Sequence, residues 1–132
     1  INDHWAEGPT SYLGLSTHGF PNMFMILGPN GPFTNLPPSI EAQVQWIGDA
    51  ISHAEHSKLA TIEATQQAEE GWTKTCLDIA NMTLFPKVES WIFGANIPGK
   101  KSTVMFYMAG LGAYRQQLSA VESEGYQGFL LQ

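Results

Sequence analysis

Basic side chains are scarce in this chain. Among 132 residues there are six Lys and Arg against twelve Asp and Glu, a formal net charge of −6. That balance excludes an electrostatic footprint for nucleic acid and attraction to an anionic membrane surface. Lys100 and Lys101 form the one adjacent basic pair, and the turn residues around them mark a solvated turn. Charge as a whole is short, since 14% charged residues lies well below the roughly 25% of an average soluble protein. A surface this poor in charge points to something else covering it. Cysteine is nearly absent: Cys76 alone forms no disulfide framework, which suits a reducing, cytoplasmic compartment. Its place on the apolar side of a helical pattern assigns it to packing. No apolar run approaches the ~20 residues of a membrane span, and INDHWAEGPT lacks the basic-then-apolar layout of a signal peptide.

Glycine (13), proline (8) and tryptophan (4) are plentiful, and 43% hydrophobic residues supply a core for one domain or part of one. The chain starts without Met, in mid-phrase, which suggests a piece of a longer polypeptide. Residues 1–22 are loop-like, with a short candidate strand at Tyr12–Leu15. The apolar run Phe24–Leu27 predicts a strand buried on both faces of an α/β sheet. After the loop GPNGPFTNLPP, Ile40, Val44, Ile47, Ile51 and Ala54 recur at helical spacing. They predict a helix with one apolar face, its first turn holding Pro37, Pro38 and Ser39. Residues 24–54 thus read as a strand-loop-helix unit. A connector over 58–64 carries a short extended piece, Thr61–Ile62. Ala68, Trp72, Cys76, Ile79 and Met82 predict a second helix over 65–85, capped by Thr65 and stopped by Pro86. Residues 88–102 look irregular, 104–108 read as a strand, 115–122 as a short helix and the tail EGYQGFLLQ as loop.

A helix N-terminus presents unpaired N–H groups and partial positive charge, which suits a phosphate, a carboxylate or an electron-rich ring edge. In open α/β sheets ligands lie outside the carboxyl ends of strands, where the loop after residue 27 would be. The same GPNGP also reads as a tight connection, and the residues alone leave both readings open. FYMAGLGAYR begins like a dinucleotide fingerprint, but Arg115 stands where the third glycine belongs, so no dinucleotide site is assigned there. His53 and His56 have i, i+3 spacing without an HExxH-type carboxylate, so no metal site is expected. They suit the dipole at the end of the first helix. Glu69 and Glu70 suit the start of the second helix as solvent-facing charges. Trp91, in SWIFGANIPGK, either plugs into the core or sits on a loop closing over a pocket.

FPNMFMILGPNGPFTNLPPSIEAQVQWI, MTLFPKVESWIFGANIPGKK and VMFYMAGLGAYR closely resemble the C-terminal quarter of Baeyer–Villiger monooxygenases of the cyclohexanone monooxygenase type. The similarity runs from DHWAEGPTSYLG to YQGF, nearly the whole chain. It implies an α/β fold, the C-terminal part of a Rossmann-like flavoprotein monooxygenase with two dinucleotide-binding units, and not an autonomous domain. It also implies FAD and NADPH as cofactors, with a flavin peroxide that inserts one oxygen atom of O2 into a cyclic ketone to give a lactone or ester. The family's glycine motifs, its FxGxxxHxxxW fingerprint and its catalytic residues would lie in an upstream remainder of the polypeptide, so this segment alone should be inactive. By position, the resemblance places Asn35 and Leu36 at the FAD ring. Phe33, Thr34, Leu36 and Phe106 line the ketone pocket, and Trp91 sits on a mobile loop over 88–102 that closes on NADP. A non-catalytic ligand-binding module and a flavin monooxygenase acting on amines or sulfides are the competing readings.

Overall fold

The computed structural model of the chain describes residues 1–83 and 103–132. Pro86, the loop expected over 88–102, Trp91, Lys100 and Lys101 lie outside the described residues. In chain order the elements are β1 (Gly31–Pro32), α1 (Leu36–His56), β2 (Ile62–Ala64), α2 (Gln66–Asn81), β3 (Phe106–Tyr107), α3 (Gly110–Ser123) and β4 (Phe129–Leu131). The strands form two short pairs. β1 and β3 run parallel, Gly31 beside Phe106 and Pro32 beside Tyr107, and β2 and β4 run antiparallel, Ile62 beside Leu131 and Ala64 beside Phe129.

α1 starts where its prolines place it. Pro37 and Pro38 occupy first-turn positions whose N–H groups would find no intrahelical partner, and the Ser39 hydroxyl donates back to Asn35 O at 2.8 Å. Of the expected face Ile40, Val44, Ile47, Ile51 and Ala54, Ala54 is buried and Ile40 and Ile47 are half-buried, but Val44 and Ile51 are 54% and 43% exposed, and Ser39, Gln43, Trp46 and Ala50 point inward instead. Trp46 decides this. Its indole donates to Leu118 O at 3.0 Å, and its ring centroid lies 5.4 Å from those of both Tyr126 and Phe129. Burying that ring is worth about 3 kcal/mol or more, on a scale where a Phe or Met side chain gives 1.5–3. Ser39, Ala50 and Ala54 are small enough to let the helix approach the layer beneath.

α2 follows its cap. The Thr65 hydroxyl accepts from Ala68 N–H at 3.1 Å, and Trp72, Cys76 and Ala80 face inward. The helix ends at Asn81 rather than 85, and Met82, expected on its apolar face, is 79% exposed. Glu69, expected in solvent, is 4% exposed. Trp72 stacks on Tyr107 of β3, centroids 4.8 Å apart and planes 17° from parallel. These residues join one core with Leu13, Leu15, Ile62, Tyr114, Leu118 and Phe129.

The short strands are where spacing misleads. No strand forms at Phe24–Leu27. Asn22 and Leu27 take left-handed φ of 60° and 55°, Leu27 N–H donates to the Gln43 side chain at 2.9 Å, and Ile26 and Leu27 are exposed. The strand that precedes α1 is β1, inside the expected loop. At Tyr12–Leu15 a tight turn replaces a strand: Leu13 and Gly14 both have positive φ, closed by a bridge between Tyr12 and Ser16. β2 lies at Ile62–Ala64, one residue beyond the extended piece expected at Thr61–Ile62. The strand expected over 104–108 is confined to Phe106–Tyr107. The final helix begins at Gly110 rather than 115, because Tyr114, Leu118 and Val121 bury one continuous stripe. The tail is not loop throughout. Gly125 and Gly128, at φ 71° and 88°, turn the chain so that Phe129–Leu131 pairs with β2.

Candidate functional site

β1 and β3 end side by side, and each runs directly into a helix: Pro32 leads to α1 at Leu36, and Tyr107 to α3 at Gly110. Two helix N-termini therefore open at the carboxyl ends of a parallel strand pair, the place where α/β proteins bind ligands. Phe33 N–H continues the ladder by donating to Tyr107 O at 2.9 Å. This brings the Phe33 and Phe106 rings to 5.2 Å at 58°, so two of the residues assigned to the ketone pocket meet in space. Phe33 remains 40% exposed and Leu36 55% exposed, large apolar side chains held outward by an ordered backbone.

The N-terminus of α1 has an unusual donor inventory. Asn35 is its N-cap residue, yet the Asn35 side chain makes no capping bond, and no acidic residue stands in the first turn. Pro37 and Pro38 have no N–H, and Ser39 N–H donates to Asn35 O at 3.4 Å. The Leu36 N–H is thus the outward donor of that turn among the described residues. Thr34 is half-buried between Phe33 and the cap. Trp91 lies outside the described residues.

Spacing gave no sign of the polar residues that hold this loop. Gln43, fully buried, accepts from Leu27 N–H and donates to the Tyr114 hydroxyl at 3.1 Å, which itself donates to Leu13 O at 2.7 Å. Burial is the main cause that pushes the Tyr114 hydroxyl far above its ordinary pKa, so it stays protonated as a donor. The Ser11 hydroxyl donates to Pro29 O. A side chain at Gly14 would place its Cβ 2.5 Å from Gly31 Cα, so glycine is required for the two backbones to touch.

A second cluster surrounds Glu69. Its carboxylate accepts from the Thr10 hydroxyl, the Thr17 hydroxyl at 2.9 Å and His18 N–H at 2.6 Å, and His4 Nε2 lies 2.8 Å away. Burial alone would push this carboxyl up, but the hydrogen bonds from Thr10, His18, His4 and Thr17 outweigh it and hold its pKa below the ordinary value. An open groove of about 600 Å³ runs beside it, lined by His4, His18, Glu70, Lys74 and Leu77 among others. None of the residues assigned to flavin or ketone lines this groove. No group of three or more metal-ligating side chains occurs among the described residues, and no described helix is long and apolar enough to cross a membrane. Cys76 is fully buried and burial pushes its thiol up to about 12, so it is a packing residue. Gly110 and Gly112 do open a helix after a strand, but that strand belongs to a two-stranded pair and Arg115 stands at the third glycine position.

No family model matches the chain. Individual proteins do. It is 59% identical over 132 residues to cyclohexanone 1,2-monooxygenase of an Acinetobacter species and 61% identical over 130 residues to a Baeyer–Villiger monooxygenase of Pseudooceanicola batsensis. It is 57% identical over 131 residues to a phenazine N-monooxygenase of Lysobacter antibioticus. These alignments take in 98–100% of this chain and 24% of each relative, so the chain spans about a quarter of the length of the proteins it matches. Among solved structures, cyclohexanone monooxygenase from Rhodococcus sp. Phi1 bound to NADP+ superposes with a TM-score of 0.97 at 61% identity, over 99% of this chain and 25% of that one. OTEMO in complex with FAD and NADP superposes with a TM-score of 0.91 at 30% identity, over all of this chain and 24% of that one. From end to end, the chain is similar in sequence and in fold to about a quarter of a Baeyer–Villiger monooxygenase of the cyclohexanone monooxygenase type.

Proposed function

We propose that this chain belongs to an NADPH- and FAD-dependent Baeyer–Villiger monooxygenase that inserts one oxygen atom of dioxygen into a cyclic ketone such as cyclohexanone, giving a lactone or ester. The observation that carries the reading is the whole-length match to ketone monooxygenases, joined to a loop that presents one backbone donor between exposed apolar side chains. The segment works as the C-terminal part of a Rossmann-like FAD domain within a longer polypeptide in the cytoplasm. Two features support its being part of a larger body: it spans a quarter of its relatives, and the Val44 and Ile51 flank of α1 is exposed.

The residues at 33–36 fit the edge of a flavin ring. The Leu36 N–H points out of a helix N-terminus with no acidic side chain in the first turn to oppose it, so it stabilises negative charge on a ring edge set there. Asn35 stands beside it with its side chain free of any capping role. When bound, the flavin supplies activation of dioxygen with electrons taken from NADPH. Phe33 and Phe106, with Thr34 and Leu36, form an apolar wall that orients the ketone and excludes water. Trp91 is assigned to a segment that closes on the nicotinamide cofactor. The residues that perform the chemistry lie elsewhere in the longer polypeptide.

A second reading, oxidation at nitrogen, is favoured by one observation: the phenazine N-monooxygenase is nearly as similar as the ketone enzymes. Assay of the intact protein separates the two. Purified protein should show flavin absorbance and consume NADPH when cyclohexanone is added, with lactone as product by gas chromatography. NADPH consumption and N-oxide formation with phenazine, without lactone from cyclohexanone, would replace the ketone reading. Absence of bound flavin and of any NADPH oxidation would leave a non-catalytic binding module.

A further inference from the structure

Asn30 is fully buried, sits at φ 60° in the left-handed region, and occupies the last position before β1. Its backbone N–H donates to Met105 O at 2.8 Å, its side-chain amide donates to Val104 O at 2.8 Å, and its own carbonyl accepts from the Trp72 indole at 3.1 Å. Three elements thus converge on one residue: the loop before β1, the strand lead-in at 104–105, and α2. Its Oδ1 is buried without a hydrogen-bond partner. Nothing in the surroundings rewards an amide oxygen here, so the side chain's contribution is its N–H donor and its tolerance of left-handed φ. Glycine would supply the second but not the first.

β1 and β3 are only two residues long each, too short for ladder bonds alone to fix which residue faces which. A slip by one position turns every side chain to the opposite face. The two Asn30 bonds to Met105 and Val104 lie immediately before the pairs Gly31–Phe106 and Pro32–Tyr107, and so lock that register. The pair that follows is Phe33 against Phe106, the wall of the pocket. We infer that Asn30 is a positioning residue that sets the register of Phe33 against Phe106 and thereby the width of the ketone pocket. The second half of this statement rests on the ketone reading above; the first stands on the hydrogen bonds alone.

The test uses the intact protein with Asn30→Gly, which keeps the left-handed backbone but removes the donor, and Asn30→Asp, which keeps shape and removes the amide N–H. Fluorine NMR of protein labelled with 4-fluorophenylalanine reads the Phe33–Phe106 contact directly. Ketone KM, NADPH KM and flavin content are measured in parallel. Both variants should change the fluorine signals of Phe33 and Phe106 and raise ketone KM about tenfold. Flavin content and NADPH KM should stay within about twofold. Unchanged fluorine signals in both variants would overturn the inference. So would ketone KM, NADPH KM and flavin content deteriorating together, which marks a merely structural residue. Should Asn30→Gly fail to fold, Asn30→Asp decides by the same criteria. Shifted signals in a protein whose unsubstituted form oxidises no ketone would leave the register role standing and remove the ketone reading instead.

Discussion

Glu69 offers a sharp energetic test, because its buried carboxylate accepts from the Thr10 and Thr17 hydroxyls and the His18 N–H. Removing the carboxylate in Glu69→Ala strands the buried Thr17 hydroxyl and the His18 N–H, and frees Thr10 and His4 toward the neighbouring groove. A buried donor left unsatisfied costs about 1–3 kcal/mol, and two of them with partial relief from water give roughly 2–4 kcal/mol of lost stability. Glu69→Gln keeps one oxygen for His18 N–H and turns an NH2 toward a threonine hydroxyl able to accept, so it should cost only about 1–2 kcal/mol. The pH dependence has a definite sign. The folded-state pKa of Glu69 is lowered from 4.5, so its stabilisation is fully present above that value. It is lost as pH falls through the depressed folded-state value. Thermal denaturation of wild type and Glu69→Gln between pH 7 and pH 3 checks both points, and the gap in Tm should narrow only below about pH 4.5. An Ala variant no less stable than the Gln variant, or a gap independent of pH, would refute the reasoning.

In the intact protein, Trp91→Ala should raise NADPH KM at least tenfold while flavin content stays constant, as loss of a closing aromatic contact would; unchanged NADPH kinetics removes the assignment. Phe33→Ala and Phe106→Ala should alter which ketones are accepted or which carbon migrates, read from product ratios, and identical profiles in both would take these rings out of the pocket. Gly14→Ala should cost more than about 3 kcal/mol by chemical denaturation, because its Cβ meets backbone at 2.5 Å and its φ is +70°. A loss below about 1 kcal/mol would mean the turn relaxes freely. Native Cys76 should resist thiol reagents on a timescale of hours and react at once in denaturant; rapid native labelling would contradict its burial.

The sequence made the long helices legible and the short strands not. Helix spacing, Thr65 and the paired prolines located α1 and α2 because capping and period are local properties. Phe24–Leu27 failed because β1 forms by what it pairs with: its partner is 75 residues away in the chain, and no local pattern encodes that choice. Spacing places Ala54 inward correctly but favours Ile40, Val44, Ile47 and Ile51 over the buried Ser39, Gln43, Trp46 and Ala50, because period cannot weigh Trp46 against aliphatics, whereas the core can. Glu69 looked like a dipole charge, and only the segment from His4 to His18 folding over it made it an internal acceptor. Phe33 and Phe106 could be paired from resemblance but not from spacing, since nothing in either neighbourhood points to the other.

The proposal that the loop from 28 to 36 is a wall rather than a connection is supported by where its polar groups are bonded. The Ser11 hydroxyl and the Trp72 indole donate to its Pro29 and Asn30 carbonyls, Met105 O and Tyr107 O accept from its Asn30 and Phe33 N–H groups, and Gly14 presses directly against Gly31. A loop that merely reversed the chain would bury Phe33 and Leu36 and leave its backbone to water. Here residues 30–32 are buried and their backbone bonded, while the two large apolar side chains of Phe33 and Leu36 are exposed. Such an inversion leaves apolar surface exposed, which a covering group would remove from water. In the proposed enzyme a flat ring with one electron-rich edge and an apolar substrate over it would cover that face, and the rigidity would hold the two at a fixed separation.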